Sequence, residues 1–383
     1  MKILMIAPEP FFEPRGTPFS EYFRIKALCR SGHKVDLVTY PIGEDKDING
    51  LRIFRSFKPP LIKSVKTGPS AAKLLLDFFL FFKAWGRLCR GKYDVIHTHE
   101  EANIMGAFFS KISGVPHLYD MHSSLVQQMN NFQFTRSKVI VSFFRFIEKI
   151  SLKNSKSTIV ICKALYDYAA KITDSKKLTI IENFIDDTPA ELDAAKLNRI
   201  KEEIGSHNNK IIMYTGTLET YQGIPLLIDA MKHLDKDFRL VLIGGKNEQV
   251  NEVKKRATEE ALEERILVLG RREPQDIPYY LKAAHVLVSP RILGTNIPLK
   301  VYSYLKSGIP LVATDLYTHT QSINKDIAFL VEPKPEKFAQ GIRDAVSPKG
   351  KQISEKAGEF CRENYSYERY LELVEEALKK AVG

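Results

Sequence analysis

Short apolar runs rich in Val, Ile and Leu alternate along this chain with longer stretches whose apolar positions recur every three or four residues. That alternation is the pattern of βαβ units, in which helices cover the faces of a parallel sheet. In the first half the runs predict strands at Lys2–Pro8, Lys34–Tyr40, Leu51–Arg55, Asp94–His99, His117–His122, Ser157–Cys162 and Leu178–Glu182. Helical patterns over Phe19–Ser31, Ala71–Arg90, Glu101–Ser113 and Arg136–Asn154 lie between them. The series then restarts, with strands predicted at Lys210–Thr215, Arg239–Gly244, Ile266–Gly270, Val286–Pro290 and Leu311–Thr314. The predicted class is α/β, with two doubly wound, Rossmann-like halves facing a cleft and ligands at the carboxyl ends of the strands.

A first domain over 1–184 and a second over 185–350 follow from this restart, with the turn residues of Asn183–Ala190 as the hinge. The stretch 351–383 reads as a helical tail, interrupted near Glu363–Ser366, that packs back toward the first domain. A length of 383 residues suits two cores better than one. Four widely spaced cysteines form no CxxC or Cys/His cluster, which disfavours structural zinc and a disulfide framework and points to a reducing, cytoplasmic setting. Met1–Pro8 is too short for a signal peptide, and no apolar run approaches the roughly 20 residues that span a bilayer.

Charge divides the chain unevenly. Residues 1–183 hold 28 Lys/Arg against 16 Asp/Glu, a net of +12, whereas residues 184–383 hold 29 against 30, a net of −1. A basic half implies a polyanionic partner. Within 58–92 eight basic residues and the single acid Asp77 frame the run Leu74–Phe82, with Trp85 and Leu88 beyond it. An aromatic helix with basic flanks fits an interfacial helix on an anionic membrane, which makes the protein peripheral on the inner face of that membrane. A second mixed stretch covers 131–156. Core helices with basic outer faces are the alternative. Nucleic acid is disfavoured, because no known module and no stacking platform accompanies the charge.

Several segments carry chemistry in a fixed order. Arg15-Gly16-Thr17 follows the first strand, and Tyr93–His99 reads Y-D-V-I-H-T-H. Tyr119-Asp120-Met121-His122-Ser123 and Ile181–Asp186 come next. Then follow Tyr214-Thr215-Gly216-Thr217-Leu218, Gly223–Ala230, Leu240–Gly245, Val268-Leu269-Gly270-Arg271 and Ser307–Thr314. Together they resemble the family-4 retaining glycosyltransferases of the GT-B fold over nearly the whole chain. The resemblance implies a hexosyltransferase that moves a sugar from a nucleotide-sugar donor, without a metal or resident cofactor, and keeps the anomeric configuration. It places His122 near the donor sugar, and Gly216, Gly270 and Arg271 beside the donor nucleotide. Arg15, Gly16, Thr17 and His99 fall on the acceptor side.

Four departures bear on that chemistry. Where the family has Arg, Lys and two glutamates, this chain has Thr217, Gln222, Thr295 and Ser303. Arg291 and Lys300 flank Ile292–Leu299 and offer substitutes. Asn296, Ile297, Pro298 and Leu299 are expected to lead into a helix with Pro298 in its first turn, where free N–H groups favour an anion. A guanidinium grips phosphate in a fork and a lysine adds a point charge, while Ser303 retains a hydrogen bond for a ribose hydroxyl. His97 and His99 alternate on their strand and are read as facing opposite ways, so no metal pair is expected. Glu9 and Glu13 are further acceptor-side candidates, and Tyr317–Gln321 reads as a structural helix start. A basic, amphipathic surface suits a lipid-linked or envelope-glycan acceptor. A catalytically silent binding protein and a nucleotide-sugar epimerase are the rival readings; oxidoreduction is disfavoured, because no GxGxxG follows the first strand.

Overall fold

The computed structural model describes residues 1–12, 16–60, 62, 65, 70–124, 126, 137–182, 192–294 and 296–383. The chain divides into two compact units, Met1–Phe184 with Tyr367–Gly383, and Ile185–Ser366. The hinge expected at Asn183–Ala190 lies outside the described residues.

Seven parallel strands build the first unit: β1 (Lys2–Ala7), β2 (Lys34–Thr39), β3 (Leu51–Arg55), β4 (Val95–His99), β5 (His117–Met121), β6 (Ser157–Val160) and β7 (Leu178–Ile180). Their spatial order among the described residues is β3-β2-β1-β4-β5-β6-β7. The direction of winding therefore reverses between β1 and β4, the place where open α/β sheets receive ligands. Every residue of β4 and β5 is buried, as a sheet covered on both faces requires. Helix Ala71–Arg90 begins on Ser70, whose hydroxyl accepts from the Lys73 N–H. Its Leu76, Leu80, Ala84 and Leu88, spaced by four, are the buried stripe. Helix Asn103–Ser113 ends on Gly114 in the left-handed conformation.

The second unit has the same winding. Its strands are β8 (Lys210–Thr215), β9 (Phe238–Ile243), β10 (Ile266–Gly270), β11 (Val286–Ser289), β12 (Leu311–Thr314) and β13 (Phe329–Val331). They pair in parallel in the order β10-β9-β8-β11-β12-β13, with the reversal between β8 and β11. Strand β13 has no counterpart among the predicted strands: three residues, two of them only half-buried, leave little periodic signal.

The helical stretch after 350 has two homes. Pro348–Asn364 packs in the second unit through Ile353, Ala357 and Cys361. Tyr367–Val382 packs in the first, setting Tyr370, Val374, Ala377, Leu378 and Ala381 against Phe23, Ile25 and the strands behind them. The break at Tyr365–Ser366 coincides with the boundary between the units.

Candidate active site

In the second unit the carboxyl ends of the neighbouring strands β8 and β11 bring two cations together. Lys300 is the first residue of the short helix Lys300–Lys306. Its ammonium is buried, has no hydrogen-bond partner among the described residues, and lies 3.5 Å from the centre of the Tyr214 ring. Arg291 follows β11, with its guanidinium 5.3 Å from the ring of Tyr221 and its Nε donating to the Leu293 carbonyl at 2.8 Å. No carboxylate among the described residues forms an ion pair with either group. Burial, and then the charge of Arg291, push the Lys300 amine well below its ordinary value, and burial also lowers Arg291. Cation–π contact gives each charge partial compensation, far short of an ion pair or solvent.

The surrounding residues hold this arrangement. The Tyr214 hydroxyl donates to the Thr217 carbonyl at 2.6 Å, and the Tyr304 hydroxyl accepts from the Thr215 N–H at 2.7 Å. At Gly216 an added Cβ would stand 3.2 Å from the Lys300 Nζ, so a side chain there would crowd the ammonium. His319 is buried between Ser289 Oγ (2.8 Å) and Thr314 Oγ1 (3.0 Å). Burial first, and then the charges of Arg291 and Lys300, take its pKa down to about 3, so it is neutral. Thr318 donates to the Asn296 carbonyl at 2.8 Å and so ties down the loop that carries Arg291. Tyr317–Thr320 thus braces the site from outside.

In the first unit a different cluster fills the ends of β4 and β5. Arg24 and Asp120 form a fully buried ion pair, Nε to Oδ2 2.8 Å. His97 and His99 stack with ring centres 4.8 Å apart, and His99 Nδ1 lies 3.1 Å from His122 Nε2. The opposite Asp120 oxygen is 3.3 Å from His122 Nε2. The expectation that His97 and His99 face opposite ways is therefore wrong: residues two apart on a strand share a face. His97, His99 and Asp120 also have a spacing compatible with a metal ion. Arg24 already occupies that carboxylate, however, and would set a full positive charge beside any cation bound there. We read the cluster as a charge-balanced pair lined by neutral imidazoles, since burial lowers His97, His99 and His122, the last to about 4. Glu100, in the left-handed region at φ 46, accepts from Ser123 Oγ at 3.0 Å and from Thr17 Oγ1 at 3.5 Å.

Two family descriptions account for most of the chain: "Glycosyltransferase Family 4" matches residues 24–188 and "Glycosyl transferases group 1" matches residues 197–364. The chain belongs to the family-4-like GT-B glycosyltransferases. This glycosyltransferase shares its fold with HepE from Anabaena in complex with UDP (TM-score 0.78, 17% identity, 99% of this chain and 100% of that one). It likewise matches the sucrose-phosphate synthase from Thermosynechococcus elongatus (TM-score 0.77, 18% identity, 99% and 98%). Spore coat protein SA from Bacillus subtilis (strain 168) is 23% identical over 188 residues. That match covers 45% of this chain and 49% of the relative, so it spans about half the length of each.

On this GT-B scaffold the sequence-predicted residues are distributed unequally. Gly216, Thr217, Arg291, Leu299 and Lys300 meet at the β8–β11 ends, and buried Gln222 sits in the turn that pairs, through the Tyr221 carbonyl, with the Ile292 N–H at 3.0 Å. Pro298 precedes the helix instead of standing in its first turn, its carbonyl accepting from the Val301 N–H at 3.0 Å; Ile297 is buried beside it. Ser303 is half-buried on that helix. Gly270 closes β10, and Arg271 is exposed; its neighbour Arg272 is bound to Glu203, Tyr280 and the Leu269 carbonyl. Arg15 and Thr295 lie outside the described residues, and Gly16 opens helix Gly16–Arg30. Arg24, Asp120, Tyr214 and Tyr221 went unselected in the sequence. Arg24 gave no separate signal, because it alternates with a second cation, Lys26, within Phe23–Leu28.

Gly223 adopts φ +76, and a Cβ there would meet the Pro290 carbonyl at 2.0 Å. Gly223→Ala is expected to cost about 1–3 kcal/mol by overpacking and left-handed strain, and to push the Tyr221 turn away from the Arg291 segment. Thermal melting should record the destabilisation.

Proposed function

We propose that this chain transfers a hexosyl group from a nucleotide-sugar donor to a membrane-associated acceptor, a lipid-linked or envelope glycan, with retention at the anomeric carbon. The buried Lys300 ammonium beside the half-buried Arg291 carries the proposal, because two adjacent cations that no carboxylate among the described residues pairs suit an anion that arrives with the substrate. A diphosphate meets that need. As the bond to the sugar breaks, negative charge grows on the departing phosphate, and both cations are fixed in place to receive it. No resident metal or cofactor is required in this scheme.

HepE, of the same fold, is known in complexes with UDP and with UDP-glucose, so a uridine diphosphate sugar is the first donor to test. Thr217, Gln222, Thr295 and Ser303 supply hydrogen bonds to the donor, and Gly270 with Arg271 borders its base. His122, held by His99 and Asp120, hydrogen-bonds a hydroxyl of the donor sugar. Thr17 and the segment from Arg15 line the acceptor side.

Calorimetric titration with UDP, GDP and their glucose conjugates tests binding, and proton NMR of the product reports the anomeric configuration. We expect saturable binding of one nucleotide and an α-linked product. Absence of binding at millimolar ligand would sink the proposal; a β-linked product would refute retention. Thr217 and Gln222, uncharged where the family has Arg and Lys, favour one rival, a protein that binds the nucleotide without transferring sugar. It would show UDP affinity with neither transfer nor slow hydrolysis of the conjugate. Release of an altered sugar nucleotide without acceptor would identify an epimerase.

A further inference from the structure

Three helices of the first unit have an apolar stripe on the side turned away from the sheet. Helix Ala71–Arg90 exposes Leu74, Leu75, Phe78, Phe82 and Trp85, whose spacing marks a single helical face. Ile104, Phe108 and Ile112, four apart, do the same on helix Asn103–Ser113. On helix Lys138–Asn154 the stripe is Val139, Ile140, Phe143, Phe146 and Ile150, with Val139 79% exposed. The helices are neighbours: Phe108 lies 5.9 Å from Phe81 and 6.1 Å from Trp85 between ring centres, and helix Asn103–Ser113 packs against Lys138–Asn154. The core claims the opposite side of the first helix, so the fold gives no account of this second apolar side. Exposed apolar surface on this scale marks an interaction site.

Charge identifies the occupant. The three helices contain two acids, and both turn inward: Asp77 accepts from the Tyr40 hydroxyl at 2.6 Å, and buried Glu148 accepts from Ser124 at 3.1 Å. Lys83, Arg90, Lys111, Arg145, Lys149 and Lys153 remain exposed. A face of aromatic and aliphatic side chains interspersed with cations, with its acids withdrawn, repels a second copy of itself. It matches a surface that is apolar within and anionic at its boundary.

We infer that this three-helix face binds an anionic lipid bilayer, with Phe78, Phe82, Phe108, Phe143 and Phe146 entering the acyl boundary and the lysines and arginines meeting lipid phosphates. The inference extends the acceptor half of the proposed function, and its test uses no donor or acceptor. Trp85 is the only tryptophan of the chain and borders this face, so its fluorescence reports insertion in the unmodified protein.

The full chain is mixed with vesicles of phosphatidylcholine alone, or of phosphatidylcholine with phosphatidylglycerol, with brominated acyl chains as quencher. Co-sedimentation and Trp85 quenching are expected with the anionic vesicles and at least about tenfold weaker with the neutral ones. Phe78→Glu/Phe82→Glu and Lys149→Glu/Lys153→Glu should each lower binding at least about tenfold. Their melting temperatures should stay unchanged, because all four side chains are solvent-exposed. Equal binding to both vesicle types, an unquenched Trp85, or a dimer in ultracentrifugation that these variants dissociate would overturn the inference. Nucleotide titration of the same variants separates this failure from failure of the donor site, whose affinity they should leave intact.

Discussion

Replacing Lys300 by methionine is expected to abolish most nucleotide-sugar affinity while raising the melting temperature of the unliganded second unit. The two effects have opposite signs because the ammonium serves the ligand at the expense of the fold. Without ligand, Lys300 has its charge buried against the Tyr214 ring with no hydrogen-bond partner among the described residues and Arg291 nearby. A buried unsatisfied donor costs about 1–3 kcal/mol, and more when charged. Methionine fills a similar volume and keeps a favourable sulfur contact with the ring. Removing one member of a buried charged contact with the diphosphate should cost about 2–5 kcal/mol, roughly 30-fold to 4,000-fold in affinity. Calorimetry with UDP and scanning calorimetry of the free protein check both halves. Lower affinity together with a lower melting temperature would show that Lys300 holds the fold together and is not waiting for an anion.

A proton accompanies this change. The folded amine lies well below 10.5 while the unfolded one does not, so the unfolded state binds more protons between those two values. Stability of the unliganded unit therefore rises with pH across that window, and Lys300→Met removes the slope. A bound diphosphate favours the ammonium, so binding should take up protons wherever the free amine is partly neutral. Titrations in buffers of different ionisation enthalpy measure that uptake.

The strands and the doubly wound class were legible in the sequence because each strand is a short apolar run and each crossover a periodic one. Strand β13 escaped because three residues, two of them only half-buried, carry no period. Lys300 and Arg291 were legible as basic residues beside a loop. The packing of Lys300 on Tyr214 and of Arg291 on Tyr221 was not, because it depends on Gly216 and Gly223 allowing strand-end segments to approach within contact distance. The helix start moved from Pro298 to Lys300, since Pro298 contributes its carbonyl to the opening turn instead of a place within it. Helix Ala71–Arg90 read as either core or interfacial, and it is apolar on both sides: a run of Leu and Phe shows hydrophobicity without showing which residues the sheet covers. The Arg24–Asp120 pair joins residues 96 positions apart, a distance at which one sequence offers no spacing rule.

That pair sets the second large effect. Asp120→Asn leaves the Arg24 guanidinium buried without its counter-charge, and breaking such a pair from one side costs about 3–5 kcal/mol. Arg24→Met together with Asp120→Asn should cost less than the sum of the single changes, because the double variant buries no lone charge. Chemical denaturation of the three variants gives the coupling. Acid should act on the same cluster in two stages. Buried His117 and His122 are held neutral, with pKa values of about 3 and about 4 against an ordinary 6.5. As pH falls below 6.5 the unfolded state gains protons that the folded state refuses, at about 1.4 kcal/mol per histidine per pH unit. By pH 4 His122 alone accounts for about 3 kcal/mol. Asp120, held well below 3.8, contributes stability that is complete above 3.8 and fades only as pH drops through its lowered folded value. The first unit should thus lose most of its stability between 6.5 and 4, before its ion pair is touched. His117→Gln retains a partner for Thr98 Oγ1, now 2.6 Å from the imidazole Nε2, and removes one titrating group. It should flatten the pH dependence of the melting temperature by about one proton's worth. An unchanged slope would show that the histidine cluster opens to water and takes up protons in the folded state.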